Sequence, residues 1–208
     1  MATARPAVDK RRLILDAAIR VFARQGFHTC RVSDIADEAG VAYGLVYHYF
    51  TSKDEVLDTL FLERWNVLLE VIREADATDR AAREKLTQIA GFIVESYRHD
   101  PDLMKVIIVE VTRAANTFGR AHLDEISQAY EGIASIIRKA QDAGTFRNDF
   151  SPEFATLCFY GAIEQLLTAW IFEEIVMTAG EFDQAKQMLV ETVCDGLAVR
   201  SQVPGVTT

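Results

Sequence analysis

The chain has little of the chemistry that marks secreted, disulfide-bonded or metal-dependent proteins. Its three cysteines are Cys30, Cys158 and Cys194; the number is odd and no CxxC pair occurs, so neither a disulfide framework nor a zinc site is indicated. The four histidines lack the spacing of metal ligands, and with only four prolines long segments are free to be helical. These absences fit a reduced compartment and a helical protein.

Long uncharged runs are also missing. The longest stretches without Asp, Glu, Lys or Arg are residues 39–52 and 154–163, short of the roughly 20 apolar residues that cross a bilayer. The basic cluster near the N-terminus precedes a segment containing Asp16, Arg20 and Arg24, where a secretory signal needs an unbroken apolar core. We therefore expect a cytoplasmic protein with no membrane partner.

Recognisable catalytic motifs are absent from the sequence. GxSxG, HExxH, the phosphate-binding loop and GxGxxG do not occur. His99, Asp100 and Asp102 are close along the chain, but a helix-ending turn before Pro101 explains them more simply than a metal or acid–base site. We predict that the chain is not an enzyme and that it has no catalytic residue, no metal site and no cofactor.

What the sequence does contain is an uneven distribution of charge. The net charge is −9, from 22 Lys and Arg against 31 Asp and Glu. Residues 1–53 carry 8 basic and 5 acidic side chains, a net charge of +3, whereas the other 155 residues carry 14 basic and 26 acidic ones, a net charge of −12. A basic head on an acidic body is typical of a protein whose head docks on a polyanion. A basic tail combined with chance gives the same pattern.

Apolar residues recur at helical spacing along the chain, and no convincing alternating strand occurs. The pattern predicts a first helix from Lys10 to a cap at Gly26, then two short helices joined by a turn at residues 39–41. Such a pair of short helices is the helix-turn-helix pattern. Ser52 and the Glu three residues later form a capping box, which starts a long fourth helix near Lys53. Further helical stripes bring the total to about nine helices.

The second short helix, residues 42–50, has an unusual outward face. Its spacing predicts that Val46, Tyr49 and Phe50 face the core. The residues left pointing outward are Tyr43, Gly44, Leu45, Tyr47 and His48. None of these side chains carries a fixed charge. The face is therefore typical of a binding surface that is exposed to water only while no partner is bound.

At this point the segment from residue 32 to residue 57 resembles the helix-turn-helix of TetR-family transcriptional regulators. The matching residues are Val32, Asp34, Ile35, Ala36, Ala39, Gly40, Val41, Tyr47, Phe50, Ser52 and Lys53. The resemblance covers about residues 10–60 and implies an all-α fold. In that fold residues 1–52 form a three-helix DNA-binding domain, and residues 53–208 form a helical ligand-binding and dimerisation domain.

The resemblance also implies contacts with double-stranded DNA at a palindromic operator. It places the recognition helix in the major groove through Ala42, Tyr43, Gly44, Tyr47 and His48, with Tyr47, His48 and Lys53 on phosphates. Tyr43 and Leu45 depart from the family pattern, so base reading would lean on Tyr43 and on contact of Leu45 with a thymine methyl group. Arg31 replaces the usual Thr, which weakens the N-cap of the second helix and adds a phosphate contact.

Beyond residue 60 the resemblance extends to the fold alone, with one narrower exception. Residues 160–172 and 27–36 resemble a subgroup that responds to fatty acyl-CoA and represses fatty-acid degradation. The candidate pocket residues are polar or indole side chains among apolar ones: Trp65, Tyr97, Arg113, Asn116, Gln165, Thr168 and Trp170. The simpler interpretation of each is a core or rim residue with its polar group satisfied.

The segment from Phe154 to Met177 is apolar nearly all the way round, so it must be covered on more than one side. We expect it to form, with the last helix, the interface of a homodimer; the alternative is a central helix wrapped by its own chain.

The leading hypothesis is a dimeric repressor that a small hydrophobic ligand, a long-chain fatty acyl-CoA by the narrower resemblance, releases from operators of fatty-acid degradation genes. The helix from Lys53 is the expected lever. The alternative is a helical small-molecule or acyl-CoA binding protein, or an enzyme, with a vestigial DNA-binding head. Loss of Lys53 or a charge in place of Tyr47 would favour that alternative, and both residues are intact. The operator, the regulated genes and the sign of regulation stay open.

Overall fold

The computed structural model describes residues 9–111, 121–172 and 178–198. Within these ranges it contains no strand beyond a single antiparallel bridge between Phe146 and Ala198. The nine described α-helices are α1 Lys10–Gln25, α2 Val32–Ala39, α3 Tyr43–Tyr49, α4 Lys53–Asp76, α5 Ala82–His99, α6 Pro101–Val106, α7 Leu123–Asp142, α8 Pro152–Ile171 and α9 Ala179–Leu197. A π-helical turn, Ile107–Val111, follows α6 directly. The predicted all-α class is confirmed.

The chain divides into two compact units, of which only the described residues are considered. The first is Met1–Asn66 with Tyr97–Ala121, and the second is Val67–Ser96 with His122–Thr208. The first unit holds α1 to α3, the first half of α4, and α6, whereas the second holds most of α5 and all of α7 to α9. Because α4 runs through both units, the functional division near residue 52 stays a prediction.

Helix α1 is bounded at both ends by local chemistry. The Asp9 carboxylate accepts hydrogen bonds from the backbone N–H groups of Arg11 at 3.0 Å and Arg12 at 3.4 Å, which satisfies two of the unpaired donors of the first turn. At the other end Gly26 has a φ of 80°, and its N–H donates to the Phe22 carbonyl at 2.8 Å. The boundaries predicted from the sequence are therefore confirmed.

The turn between α2 and α3 is built on a left-handed residue. Gly40 has a φ of 62° and a ψ of 38°, a conformation that residues with a Cβ adopt only with strain. The Val41 N–H donates to the Ala36 carbonyl at 3.0 Å, and the Gly40 N–H donates to the Asp37 carbonyl at 3.1 Å. These bonds satisfy the last carbonyls of α2 and set the direction in which α3 leaves the turn.

The core of the first unit joins five helices. Its largest members are Ile14, Leu15, Val21, Phe22, Phe27, Ile35, Val46, Phe50, Val56, Leu57, Leu60 and Val106. Burial of each such side chain contributes roughly 1.5–3 kcal/mol relative to exposure. Val46 is the one buried residue within α3. Val106 brings α6 into the same core, so α6 packs with the three-helix head.

The end of α4 is fastened inside the second unit by two lysines. The Lys85 side chain is buried, and its ammonium donates to the Asp76 carbonyl at 3.1 Å. The Lys139 ammonium lies 2.8 Å from both oxygens of the Asp76 carboxylate. A cation at a helix C-terminus also interacts favourably with the partial negative charge there. Asp76 thus links α4 to α5 and α7.

Helix α8 is long enough and apolar enough to cross a membrane, judged by its length and composition alone. In its most apolar window 39% of the residues are buried. A core helix of a soluble protein passes the same test, so this single helix is weak evidence for a membrane. Its apolar exposed side includes Phe154, 58% exposed, and Leu157, 56% exposed.

A close approach of α4 and α7 gives a test of the second unit. A Cβ placed on Gly132 of α7 would lie 2.6 Å from Cγ2 of Ile72, which is fully buried. We expect Gly132→Ala to lower the free energy of unfolding by roughly 1–3 kcal/mol through overpacking, despite alanine's better helix propensity. Urea unfolding at a fixed protein concentration measures it.

The matched control is Gly91→Ala in α5. A Cβ there would lie 3.5 Å from Cδ of Lys186, an ordinary contact with a flexible side chain. This variant should be as stable as the native protein or more stable. Equal stability of the two variants would contradict the packing of Gly132 against Ile72.

Candidate nucleic-acid interface

Helix α3 presents one buried side and one exposed side. Val46 is 1% exposed, and Phe50, directly after the helix, is 2% exposed. The residues of the segment that are exposed are Ala42, Tyr43, Gly44, Tyr47, His48 and Tyr49, and Leu45 is half-buried. The predicted outward face is therefore present, with Leu45 at its margin.

The prediction that Tyr49 faces the core is wrong. Tyr49 is 36% exposed, and its ring meets the His48 ring edge-on with centroids 5.1 Å apart. The reason is that the helix ends at Tyr49, and the next residue, Phe50, has an extended backbone with a φ of −139°. The side chain that is buried in the core at this end of the helix is that of Phe50. The exposed aromatic surface of α3 is accordingly larger than the helical spacing predicts.

Two exposed tyrosines of this face contact each other. The hydroxyl oxygens of Tyr43 and Tyr47 are 3.2 Å apart and share a hydrogen bond. Their rings are 5.1 Å apart between centroids, at an interplanar angle of 64°. The hydrogen bond with Tyr43 is the main reason that the pKa of Tyr47 is raised above its ordinary value. Because the ordinary pKa of a phenol is already about 10, Tyr47 carries its proton near neutral pH with or without this shift.

Arg31 stands at the N-cap of α2, and its side chain is exposed. Its backbone N–H donates to the Asp34 carboxylate at 2.8 Å, while the Asp34 N–H donates to the Arg31 carbonyl at 3.0 Å. Asp34 thus satisfies backbone groups at this helix end, where the family's usual Thr would use its hydroxyl. Helix α2 begins directly after Arg31, as expected, and the Arg31 guanidinium takes no part in capping it.

Lys53 lies at the first turn of α4, and its ammonium points back into the protein. It donates to the carbonyls of Phe27 at 2.6 Å, Cys30 at 3.0 Å and His28 at 3.4 Å. The same nitrogen lies 4.6 Å from the centre of the Phe27 ring. Lys53 therefore fastens the turn between α1 and α2 to the start of α4. A phosphate contact by Lys53 stays a prediction, and it would require one of these bonds to be exchanged.

The start of α4 is capped much as predicted. The Glu55 N–H donates to Oγ of Ser52 at 3.1 Å, which is the expected half of the capping box. In a standard capping box the Glu55 carboxylate would accept the N–H of Ser52. Here it accepts the N–H and the hydroxyl of Thr51 instead, at 2.5 and 2.7 Å. These bonds lower the pKa of Glu55.

Most of the basic side chains around this interface are already paired within the first unit. Glu38 holds Arg20 at 2.7 Å and Arg24 at 3.1 Å, and these bonds, with Arg20 foremost, lower its pKa. Glu63 holds Arg11 at 3.0 Å and Arg12 at 3.4 Å. In the part of the head that the structure describes, Lys10 and Arg31 make no ion pair. The number of basic side chains in the head therefore overstates how many are free to meet a phosphate.

The predicted ligand-binding residues are divided between the two units. Trp65 and Tyr97 belong to the first unit. The Trp65 indole is 7% exposed and stacks on Phe61 with centroids 5.0 Å apart. Tyr97 is half-buried. Arg113 and Asn116 lie outside the described residues.

The other three predicted ligand-binding residues lie on α8 in the second unit. Gln165 is exposed, whereas Trp170 is 4% exposed and meets the Phe182 ring with centroids 4.3 Å apart. The Thr168 hydroxyl donates to the Glu164 carbonyl at 2.8 Å, one turn earlier in the helix. Gln165 and Trp170 therefore point to different sides of α8, so the helix does not present both to one pocket.

A polar cluster in the second unit was missed by sequence reasoning. The rings of Tyr130 on α7 and Tyr160 on α8 are 5.2 Å apart between centroids, and burial is the main cause that raises the pKa of both phenols, with the Glu164 carboxylate adding to it. The two tyrosines are thirty positions apart in the sequence, and no local signal pairs them. They are additional candidates for polar contacts inside the body.

Cys30 and Cys194 are buried, Cys158 is exposed, and burial raises the pKa of the Cys194 thiol to about 11. Across the described ranges no group of three or more His, Cys, Asp or Glu side chains is placed to hold a metal ion.

Two family models match this chain. One, described as bacterial regulatory proteins of the tetR family, matches residues 14–60. The other, described as a tetracyclin repressor-like C-terminal domain, matches residues 83–193, more than half of the chain. The first match includes the turn at Gly40 and the exposed face of α3. The chain belongs to the TetR family and is a DNA-binding transcriptional regulator.

Individual relatives agree with this assignment. The fatty acid metabolism regulator protein of Bacillus subtilis is 30% identical over 162 residues, which cover 77% of this chain and 83% of that protein. The HTH-type transcriptional repressor KstR2 of Rhodococcus jostii is 25% identical over 192 residues, which cover 91% of each chain. Both relatives are named as regulators, not as enzymes.

Solved structures share the fold. The transcriptional regulator FadR from Bacillus subtilis in complex with stearoyl-CoA matches with a TM-score of 0.79 and 24% identity, over 89% of this chain and 98% of that chain. The fatty acid degradation regulator FadR from Bacillus halodurans matches with a TM-score of 0.74 and 24% identity, over 89% and 97%. The likeness confirms a helix-turn-helix head followed by a helical body.

The pairing of the arginines gives a test by salt dependence. The logarithm of a DNA-binding constant falls with the logarithm of salt concentration by about 0.9 for each phosphate that a cation neutralises. Arg31→Gln should therefore lower this slope by roughly 2 for a dimer with two heads. Arg20→Gln, the matched control, should leave the slope nearly unchanged because Glu38 already holds Arg20. Fluorescence anisotropy at several salt concentrations measures both slopes; equal effects of the two substitutions would contradict the assignment of Arg31 as a free cation and Arg20 as a paired one.

Proposed function

We propose that this regulator is a homodimeric repressor that binds a palindromic operator and leaves it when a long-chain fatty acyl-CoA binds to the helical body. The observation that carries the DNA-binding part is the exposed, uncharged aromatic face of α3, held in place by Val46 and Phe50. A short helix anchored on one side and open on the other suits insertion into the major groove.

The side chains of this face divide into two roles. Ala42, Tyr43, Gly44 and Leu45 lie in the groove, where Tyr43 and Leu45 read base edges. Tyr47, His48, Arg31 and Lys53 contact phosphates and thereby fix the register of the head on the duplex. The free guanidinium of Arg31 and the neutral phenol of Tyr47 support these roles, since phosphate oxygens accept hydrogen bonds from both.

The effector is proposed from the chain's similarity to its relatives and from its residues. One relative is named a fatty acid metabolism regulator, and one structural neighbour is described in complex with stearoyl-CoA. Within the second unit Thr168 and Trp170 stay candidate ligand contacts, whereas Gln165 points to another side of α8 and is set aside. Trp65 and Tyr97 stay candidates within the first unit, and Arg113 and Asn116 lie outside the described residues. Repression is favoured over activation because a relative of similar length is named a repressor.

The signal reaches the head through helices that are part of it. Val106 of α6 lies in the core that contains Val46, and the first half of α4 supplies Leu57 and Leu60 to the same core. A ligand that favours one arrangement of these helices shifts the population toward head positions that no longer match the operator. Such a regulator acts in the cytoplasm, where its operator lies. The alternative of a binding protein or enzyme with a vestigial head is not favoured, since Tyr47 is exposed and Lys53 is present.

The operator and the effector are tested together. We expect full-length protein to bind DNA from upstream of its own and neighbouring genes with an affinity on the order of nanomolar. Stearoyl-CoA should release it, whereas coenzyme A alone should not, because the acyl chain supplies the apolar burial. Specific binding that stearoyl-CoA leaves unchanged would discard the effector and keep the regulator; the absence of specific binding would discard the operator-binding function.

The dimer is proposed to form through α8 and α9. Their exposed apolar residues include Phe154, Leu157 and Met188, the last two each 56% exposed. We expect Leu157→Glu to yield a monomer in sedimentation velocity, because a charge would be buried in the interface. Leu123→Glu is the matched control, since Leu123 is 54% exposed on α7, and it should leave the dimer intact. A dimeric Leu157→Glu variant would refute this interface.

A further inference from the structure

Tyr43 and Tyr47, here called the tyrosine pair, form an ordered unit on the exposed face of α3. They lie one helical turn apart and are 53% and 44% exposed, with their hydroxyl oxygens 3.2 Å apart. An isolated exposed tyrosine samples several rotamers, but the edge contact of the rings and the shared hydrogen bond favour one arrangement of both. The pair is therefore organised before DNA arrives, which reduces the entropy lost on binding.

The hydrogen bond limits what the pair can offer to a partner. A phenol hydroxyl has one proton to donate and lone pairs that accept. Within the pair one hydroxyl donates to the other, so the two together keep a single free proton. In the part of the chain that the structure describes, neither hydroxyl has a further hydrogen-bond partner. The pair thus has two states, with the free proton on Tyr47 or on Tyr43.

A phosphate contact by Tyr47 selects one of these states. Phosphate oxygens only accept hydrogen bonds, so Tyr47 must direct its own proton to the phosphate. Tyr47 then accepts from Tyr43, and Tyr43 uses its proton in that bond. The Tyr43 oxygen is left with lone pairs but no proton for the groove. Hydrogen bonds arranged in such a chain also polarise and strengthen one another.

We infer that Tyr43 selects a base with an exocyclic amine, adenine or cytosine, because in the bound protein its hydroxyl accepts a hydrogen bond and cannot donate one. In the major groove adenine presents its N6 amine and cytosine its N4 amine as donors, whereas guanine and thymine present O6 and O4 as acceptors. Tyr47, which itself reads no sequence, acts as the positioning residue for this choice. The inference rests on the proposed function, in which α3 enters the major groove.

Selection of bound sequences from random DNA by the full-length protein, followed by affinity measurements on single-base variants, tests the inference. The native protein should prefer adenine or cytosine at one position in each half-site. Tyr43→Phe should remove that preference, which amounts to roughly two- to tenfold for one hydrogen bond. Tyr47→Phe should weaken binding and also relax the same preference, since Tyr43 regains a proton to donate.

The matched control is Tyr49→Phe, which removes a hydroxyl from an exposed tyrosine of the same helix outside the pair. It should leave the preference unchanged. All three variants should keep the native circular dichroism spectrum and melting temperature, because each removes a single exposed hydroxyl.

Two outcomes overturn the inference alone. One is a Tyr47→Phe variant that weakens binding to all sequences equally and keeps the native preference. The other is a native preference for guanine or thymine at the position that Tyr43→Phe relaxes. If the native protein selects no sequence at all, the proposed function fails and the inference fails with it.

Discussion

The function of the head depends on how few contacts hold α3. The helix has seven residues and a single buried side chain, Val46, with Phe50 as a second anchor directly after it. A helix of this length is not stable in isolation. Its position is therefore set by the left-handed turn at Gly40 and by the packed core of the neighbouring helices. Because only these two side chains are buried, the other residues of α3 can contact a partner. A third inward residue, such as Tyr49, would have reduced that surface.

Most charged side chains of the head are occupied by partners within the protein. Glu38 and Glu63 each hold two arginines, and the Lys53 ammonium is directed to backbone carbonyls. Exposed ion pairs contribute little to folding stability, so their main consequence concerns binding. They reduce the free positive charge that would attract any DNA, while the acidic body repels it. In the proposed function, discrimination between sequences then relies on uncharged groups such as the Tyr43 hydroxyl, which accepts a hydrogen bond from a base.

Much of this architecture could be predicted because its signals are local. The caps at Gly26, Gly40 and Ser52 appear in the structure where the sequence places them. The predictions that needed tertiary information fared differently. Tyr49 is exposed because the chain leaves the helix at Phe50, and Gln165 points away from the side of α8 that buries Trp170. The orientation of Tyr49 does not follow from helical periodicity, which does not show where the chain leaves a helix. The separation of Gln165 and Trp170 does follow from it, because five residues at about 100° each place them on different sides, but periodicity does not show which of the two sides is covered.

The sequence by itself determined the helical class, both ends of α1, the turn between α2 and α3, the start of α4 and the uncharged face of α3, since capping and periodicity act over a few residues. Only the tertiary structure decided which polar groups are already occupied. Lys53 bonds to carbonyls 23 and 26 positions earlier, and Glu38 reaches arginines 14 and 18 positions earlier. Such partners meet only when helices pack, because a hydrogen bond or an ion pair depends on where two distant parts of the chain are brought together.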